Sequence, residues 1–314
     1  MARSSPPSVA VSDPSASRVP GGSVVLSLLV SMRPAQWTKN LLVFAGVLFG
    51  RRLFEAPALW RAVTAFWIFC VLSGVVYLIN DVTDRETDRQ HPRKALRPIA
   101  SGALSASVAV GGAVVLGGVA LAGSVTLGWR FFGVAAAFVG VLALYSGPLK
   151  HIVIIDVLTI AFGFVLRAVA GAVAVDVEIS HWLLVCTVLL ALFIALAKRR
   201  HELVLLANGA TSHRPILGEY SPYLLDQMIA VVTASTLVAY VFYTISPETE
   251  QKFGTPWLGL TIPFPLYGIL RYLYLVHQRE GGGSPADLLL TDRPLLVCVA
   301  LWALAVALII YRPV

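Results

Sequence analysis

The nine residues NDVTDRETD at 80–88 place three aspartates, Asp81, Asp84 and Asp88, at i, i+3 and i+7 directly behind an apolar run. If that helix continues through residue 88, the three carboxylates fall within about 60° of one another, with Asn80 beside them. Crowded like charges repel, so such a cluster is unfavourable unless a cation neutralises it. Carboxylate oxygens at an open site suit Mg2+, which takes one or two carboxylates and completes its shell with water and substrate phosphate oxygens. The competing reading is a solvated helix end whose acids pair with Arg85, Arg89, Arg93, Lys94 and Arg97. Against it stand the shared face, the position at a membrane surface and the recurrence of other charges on the same side.

The setting of these acids follows from composition. The chain has 314 residues, 57% of them hydrophobic and 13% charged, with a mean hydropathy of +0.79. That is the balance of an all-α polytopic membrane protein. A helix needs about 20 apolar residues to cross the hydrocarbon core. Nine stretches approach this length, at residues 39–54, 59–80, 104–125, 129–147, 153–174, 180–197, 223–245, 256–276 and 292–311. The first has the shortest apolar core, with Arg51 and Arg52 at its far end. Residues 1–22 are rich in Ser and Pro without periodicity and read as a disordered tail, leaving 23–314 as one transmembrane domain. The following VVLSLLV is short for a signal-peptide core and lacks a cleavage site, so no removal is expected.

With a cytoplasmic N-terminus, seventeen Lys and Arg fall on the cytoplasmic side and six on the other, while Arg167 lies inside the membrane. This bias places the acidic stretch at the cytoplasmic face of the cell (inner) membrane. The net charge of +7 then reflects contact with anionic headgroups and not nucleic acid, because no soluble basic domain is present. Cys70, Cys186 and Cys298 lie in separate apolar runs and read as small buried hydrophobes. Nucleotide-binding loops and hydrolase elbows are absent, and GGGSP at 281–285 reads as a flexible loop. A transporter would suggest internal repeats, and none is evident.

In this nine-span context NDVTDRETD resembles the first signature of the UbiA superfamily of intramembrane prenyltransferases, N-D-x-x-D-x-x-x-D, at all four fixed positions. The resemblance implies nine helices around a central cavity open to the cytoplasm. Aromatic prenyltransferases of that superfamily carry a second acidic motif after the sixth helix, and both motifs bind Mg2+ on a prenyl diphosphate. Here AKRRHELVLL puts Lys198, Arg199, Arg200, His201 and Glu202 in that place, and only Glu202 is able to ligate a metal. A cationic second site favours direct phosphate contact, with Lys as a point charge and Arg as a fork.

That substitution resembles the decaprenyl-phosphate phosphoribosyltransferase branch. RPAQWTKN at 33–40, with Lys39, is similar to the branch, as is DRQHPRKALRPIASG at 88–102, with Arg97. YSGPLKH at 145–151 keeps Tyr145 and Lys150, and FGFVLRAVAGAVA keeps Arg167 and its glycines. KRRHEL departs from the K-R-Y-x-E-L pattern. The resemblance implies a Mg2+-dependent transfer of 5-phosphoribosyl from phosphoribosyl diphosphate to a polyprenyl phosphate, for lipid-linked arabinose and cell-envelope precursors. Asp81, Asp84 and Asp88 would be both the metal ligands and the catalytic carboxylates. Lys150, Lys198 and Arg199 are candidates for the donor's 5-phosphate or the acceptor's phosphate. The alternative is a prenyl diphosphate transferase acting on an aromatic acceptor.

Other residues keep two readings. Arg167 contacts ligand or pairs internally. Asp156, some 16 Å away along the same helix, is a metal or ribose-hydroxyl ligand or a helix-start acid. Tyr145 contacts substrate or belongs to an interfacial belt, and Trp37 anchors the interface or meets a lipid phosphate. His91 and His201 lack metal-ligand partners, Gly163 and Gly171 allow close helix packing, and homo-oligomer formation is left open.

Overall fold

The computed structural model describes residues 23–90, 94–205, 215–278, 288 and 291–311, and all regular elements among them are helical. The N-terminal tail at 1–22, His91 and the glycine-rich loop at 281–285 lie outside the described residues. Among the described residues, eight helices are long and apolar enough to cross a membrane. These are α3 (Ala56–Thr83), α6 (Ala106–Ser124), α7 (Trp129–Ser146), α8 (Ile155–Ala174), α9 (His181–Leu205), α10 (Pro222–Ile245), α12 (Pro263–Gln278), which reaches spanning length together with the 3-10 turn Trp257–Thr261 before it, and α13 (Arg293–Ile310). Shorter helices complete the set: α1 (Val24–Ser31), α2 (Ala45–Phe49), α4 (Arg85–Arg89), α5 (Pro98–Ser101) and α11 (Pro247–Phe253).

The first expected span, 39–54, is corrected. Residues Pro34–Phe44 wind as a 3-10 helix that passes into the five residues of α2, and the chain turns at Gly50 and Arg51. At about 2.0 Å per residue for the 3-10 part and 1.5 Å for the α part, these sixteen residues extend roughly 30 Å. The twenty residues of α8 cover the same length. This segment packs along α3 and α8, so a stretch too short to cross as an α-helix runs the full depth beside one. Its narrow profile is used at Gly171, where an added Cβ would lie 1.9 Å from the Val43 carbonyl oxygen. A Cβ on Gly46 would lie 2.5 Å from the Gly171 backbone. Two glycines therefore let the main chains of this segment and α8 touch.

Side-chain contacts sort the helix ends. At one end lie the ion pairs of Asp81, Asp84, Asp156, Asp226 and Asp292. At the other, Arg61 donates from Nε to the Ala174 carbonyl (2.6 Å) and from Nη2 to the Leu127 carbonyl (3.0 Å), and Tyr311 accepts from the Leu53 amide (2.9 Å). Two apolar cores join the layers. Phe69, Phe131 and Phe138 interlock α3, α7 and α8, while Phe193, Leu225, Ile229 and Tyr272 tie α9, α10 and α12 together. The outward faces of α6 and α13 remain apolar and exposed, with Val114, Val115, Val119, Leu304 and Leu308 open to the surroundings. Such faces suit lipid. Of the cysteines, Cys70 and Cys298 are buried and Cys186 is half-buried.

Candidate active site

The acidic motif sits where α3 ends. Thr83 is its last residue, Asp84 departs from helical geometry (φ −89°, ψ 7°), and α4 resumes at Arg85. The Asp84 amide still donates to the Asn80 carbonyl and the Asp88 amide to the Asp84 carbonyl, both at 2.8 Å, so the four-residue register survives the joint. The shared face is accordingly altered. Asp81 and Asp88 are buried and converge on one guanidinium: Arg97 Nη1 donates to Asp81 Oδ1 (3.1 Å) and to Asp88 Oδ2 (2.5 Å). Asp84 is half-exposed and turns to Lys150 Nζ at 3.3 Å. Among the described residues, no three His, Cys, Asp or Glu side chains form a ready metal-holding group. The reason is electrostatic, since each carboxylate has found a nearer cation.

Those cations come from three directions. Arg33, held in the left-handed region (φ 54°) between α1 and the 3-10 segment, pairs with Asp81 and stacks on Tyr77 at 4.8 Å. Lys94 reaches Asp88 Oδ1 at 3.7 Å. Arg97 is positioned by its own backbone: extended (φ −62°, ψ 143°), it precedes Pro98, which starts α5. Asn80 and Lys39 are half-buried nearby in sequence to this cluster and to Asn40.

The second cluster differs from expectation. Arg199 is 1% exposed and committed to protein groups. Its Nε donates to Asp156 Oδ2 (2.9 Å), its Nη1 to Glu202 Oε2 (2.5 Å) and its Nη2 to the Tyr145 hydroxyl (3.2 Å). Tyr220 donates to Asp156 Oδ1 (2.9 Å) while accepting from the Ile154 amide (2.8 Å). Burial pushes the Tyr220 phenol up to about 12, so it remains a donor at neutral pH. In this structure Arg199, expected as a phosphate contact, forms a buried clasp, and Asp156, expected as a metal or ribose-hydroxyl ligand or a helix-start acid, is its partner. Both Asp156 oxygens are occupied in the first turn of α8. Tyr145 serves the same clasp. Lys198, about half-exposed and 3.8 Å from Glu202, remains at the surface of the cluster. The end of α7 with Tyr145, the α7–α8 connection with Lys150 and the start of α8 with Asp156 border both clusters.

Arg167 lies deeper. Its Nε donates to Asn40 Oδ1 (2.7 Å) and its Nη1 to the Gly163 carbonyl (2.8 Å), and its guanidinium lies over Phe138 (4.7 Å) and Phe164 (5.2 Å). The internal ion pair considered for it is absent among the described residues, because neutral dipoles and ring faces solvate the charge instead. Asn40 also accepts from Ser73 (3.3 Å) and donates to Cys70 Sγ (3.3 Å). Trp37 donates to the Met32 carbonyl (3.2 Å) and meets Trp67 edge-on. Sequence reasoning passed over Arg33, Asn40 and Tyr220 as functional residues. The first two stand inside the quoted RPAQWTKN segment, whereas Tyr220 had no signal.

The UbiA prenyltransferase family profile matches residues 40–286. The chain is 31% identical over 98% of its length to decaprenyl-phosphate phosphoribosyltransferase of Corynebacterium glutamicum, covering 93% of that protein. It is 32% identical over 93% of its length to the same-named enzyme of Mycolicibacterium smegmatis, covering 95% of it. A solved UbiA homolog from Archaeoglobus fulgidus, bound to DMAPP and Mg2+, superposes with a TM-score of 0.70 over 91% of this chain and all of that one, at 20% identity. The protein belongs to the UbiA prenyltransferase family. It is a multi-pass membrane transferase.

Proposed function

We propose that this transferase moves 5-phosphoribosyl from phosphoribosyl diphosphate to a polyprenyl phosphate, within one domain spanning 23–314. Its N-terminus and acidic motif would face the cytoplasm in the cell membrane. The observation that carries the reading is the state of the second motif. Lys198, Arg199 and Arg200 stand together there on α9, with Glu202 the one acid among them and Arg199 buried between it and Asp156, so among the described residues the place of a second acidic motif is cationic, unlike a two-motif prenyl diphosphate site. The two full-length phosphoribosyltransferase relatives support the same choice.

Hard carboxylate oxygens beside flexible basic side chains fit Mg2+ and a diphosphate together. Asp81, Asp84 and Asp88 would hold the ion, which neutralises the diphosphate and improves it as a leaving group. The chain's own residues do the rest. Arg97, Lys94 and Lys150, now paired with the acids, are able to turn onto phosphate oxygens once the carboxylates are satisfied otherwise. Lys198 adds a cation for the donor's 5-phosphate or the acceptor's phosphate. An acceptor phosphate oxygen attacks ribose C1 as its bond to the diphosphate oxygen breaks; the electron pair leaves with diphosphate. The acceptor is already ionised, so no strong base is needed, and positioning and electrostatics dominate.

The alternative, prenyl transfer to an aromatic acceptor, draws on the prenyl diphosphates bound in solved fold relatives. Purified protein in nanodiscs with Mg2+ is offered radiolabelled phosphoribosyl diphosphate with polyprenyl phosphate or, in parallel, a labelled prenyl diphosphate with an aromatic acid. Label in the lipid fraction from the first donor alone is expected. Transfer only in the second incubation overturns the reading.

A further inference from the structure

The end of the bundle opposite the acidic motif holds a cavity of about 590 Å3. Its lining includes Arg52, Arg61 and Arg130 together with Glu55 and Asp176. Among the described residues these five side chains form no ion pair with one another, although they share one cavity. Arg61 is fixed in the wall by its bonds to the Ala174 and Leu127 carbonyls, which leave Nη1 without a hydrogen bond of its own there. Two spanning helices also begin at this cavity. Neither α3, entered at Glu55, nor α7, entered at Gly128, has a side-chain cap on its first amides. Uncapped amides and the helix dipole add positive potential to that of the arginines. The rim is aromatic: Trp129 lines the cavity and is 73% exposed. An amphipathic ring beside a basic hollow is the arrangement of a membrane interface.

We propose that this cavity binds a phosphate-bearing headgroup, supplied by a membrane phospholipid whose acyl chains lie on the apolar outer faces beside it. The volume lies within the usual range for small-ligand pockets. Guanidinium forks suit phosphate oxygens, while Glu55 and Asp176 in the same lining temper the positive potential and so moderate the affinity for an anion. The site is separate from the transferase chemistry, standing at the far end of α8 from Asp84 and Lys150.

The test measures thermal stabilisation of the purified full chain by titrated phosphatidylglycerol, by diacylglycerol with the same acyl chains, and by inorganic phosphate. Phosphatidylglycerol is expected to stabilise the wild type and diacylglycerol to do little. In the Arg52→Gln/Arg130→Gln variant the apparent affinity should fall roughly 25-fold, about fivefold for each arginine near the surface. Glu55→Gln/Asp176→Asn should shift affinity the opposite way, an outcome that general destabilisation cannot produce. Equal stabilisation by diacylglycerol, or an unchanged response in both variants, overturns the site. A full response to inorganic phosphate alone overturns the lipid as its source.

Discussion

Replacing Arg199 by Met separates a buried clasp from a phosphate contact. The guanidinium makes three hydrogen bonds, to Asp156, Glu202 and Tyr145, and joins the ends of α7, α8 and α9. Methionine keeps much of the stem but leaves the Asp156 carboxylate fully buried, facing only the Tyr220 hydroxyl. Removing one partner of a buried pair costs about 3–5 kcal/mol, because the other charge stays behind in a low-dielectric site. At a few degrees per kcal/mol, the thermal midpoint should fall on the order of 10 °C. Asp156→Asn should cost less, roughly 1–3 kcal/mol, since Arg199 keeps Glu202 as a counterion. The double variant Arg199→Met/Asp156→Asn should be milder than the sum of the singles by about 1–3 kcal/mol, the signature of a coupled pair. Midpoints come from thermal unfolding of detergent-solubilised protein followed by size-exclusion fluorescence. An Arg199→Met protein with a wild-type midpoint and weakened donor binding would refute the clasp and restore the phosphate-contact reading.

Asp84→Asn should leave stability within about 1 kcal/mol of wild type, because its pair with Lys150 is partly exposed. Its transfer rate should nevertheless drop roughly 100-fold or more, as for loss of one preorganised electrostatic group; thermal unfolding and label transfer read the two effects separately. Gly171→Ala should disrupt the fold, since its Cβ would meet the Val43 carbonyl oxygen at 1.9 Å, whereas Gly140→Ala on α7 meets nothing within 4 Å and should be tolerated. Expression and monodispersity of the two variants check this. The raised Tyr220 pKa implies a defined alkaline limit: the folded state holds the proton more tightly than the unfolded chain, whose tyrosines titrate near 10. That stabilisation is complete below about pH 10 and is lost as pH rises toward about 12. A pH series of melting midpoints should show this fall, and Tyr220→Phe should make it shallower by the share of one titrating group.

The long apolar helices were legible because length and hydropathy alone define them; 129–147 and 223–245 agree with α7 and α10 to within one residue. The segment at 34–49 was not legible as it stands, because its reach depends on 3-10 winding and on a glycine crossing with α8 that no local pattern reveals. The continuation of α9 through Lys198–Glu202 was missed for a related reason. Charges ended the apolar run, yet those charges are absorbed by Asp156 and Asp226 on neighbouring helices. At the site, the aspartate spacing was visible in nine consecutive residues. Their counterions were harder to assign: Arg33 comes from 48 residues before Asp81, and Arg97 returns through the turn at Pro98. Tyr220, 64 residues from Asp156, is defined only by tertiary contact.

The most direct measurement is the product itself. Purified protein is incubated with Mg2+, phosphoribosyl diphosphate and polyprenyl phosphate; the lipid is weighed by mass spectrometry and released diphosphate is counted. A lipid heavier by one phosphoribosyl group, with one diphosphate per product, and absent after chelation or in Asp84→Asn, is the predicted result. Unmodified lipid and no diphosphate from active, folded protein that transfers a prenyl group instead would contradict the account.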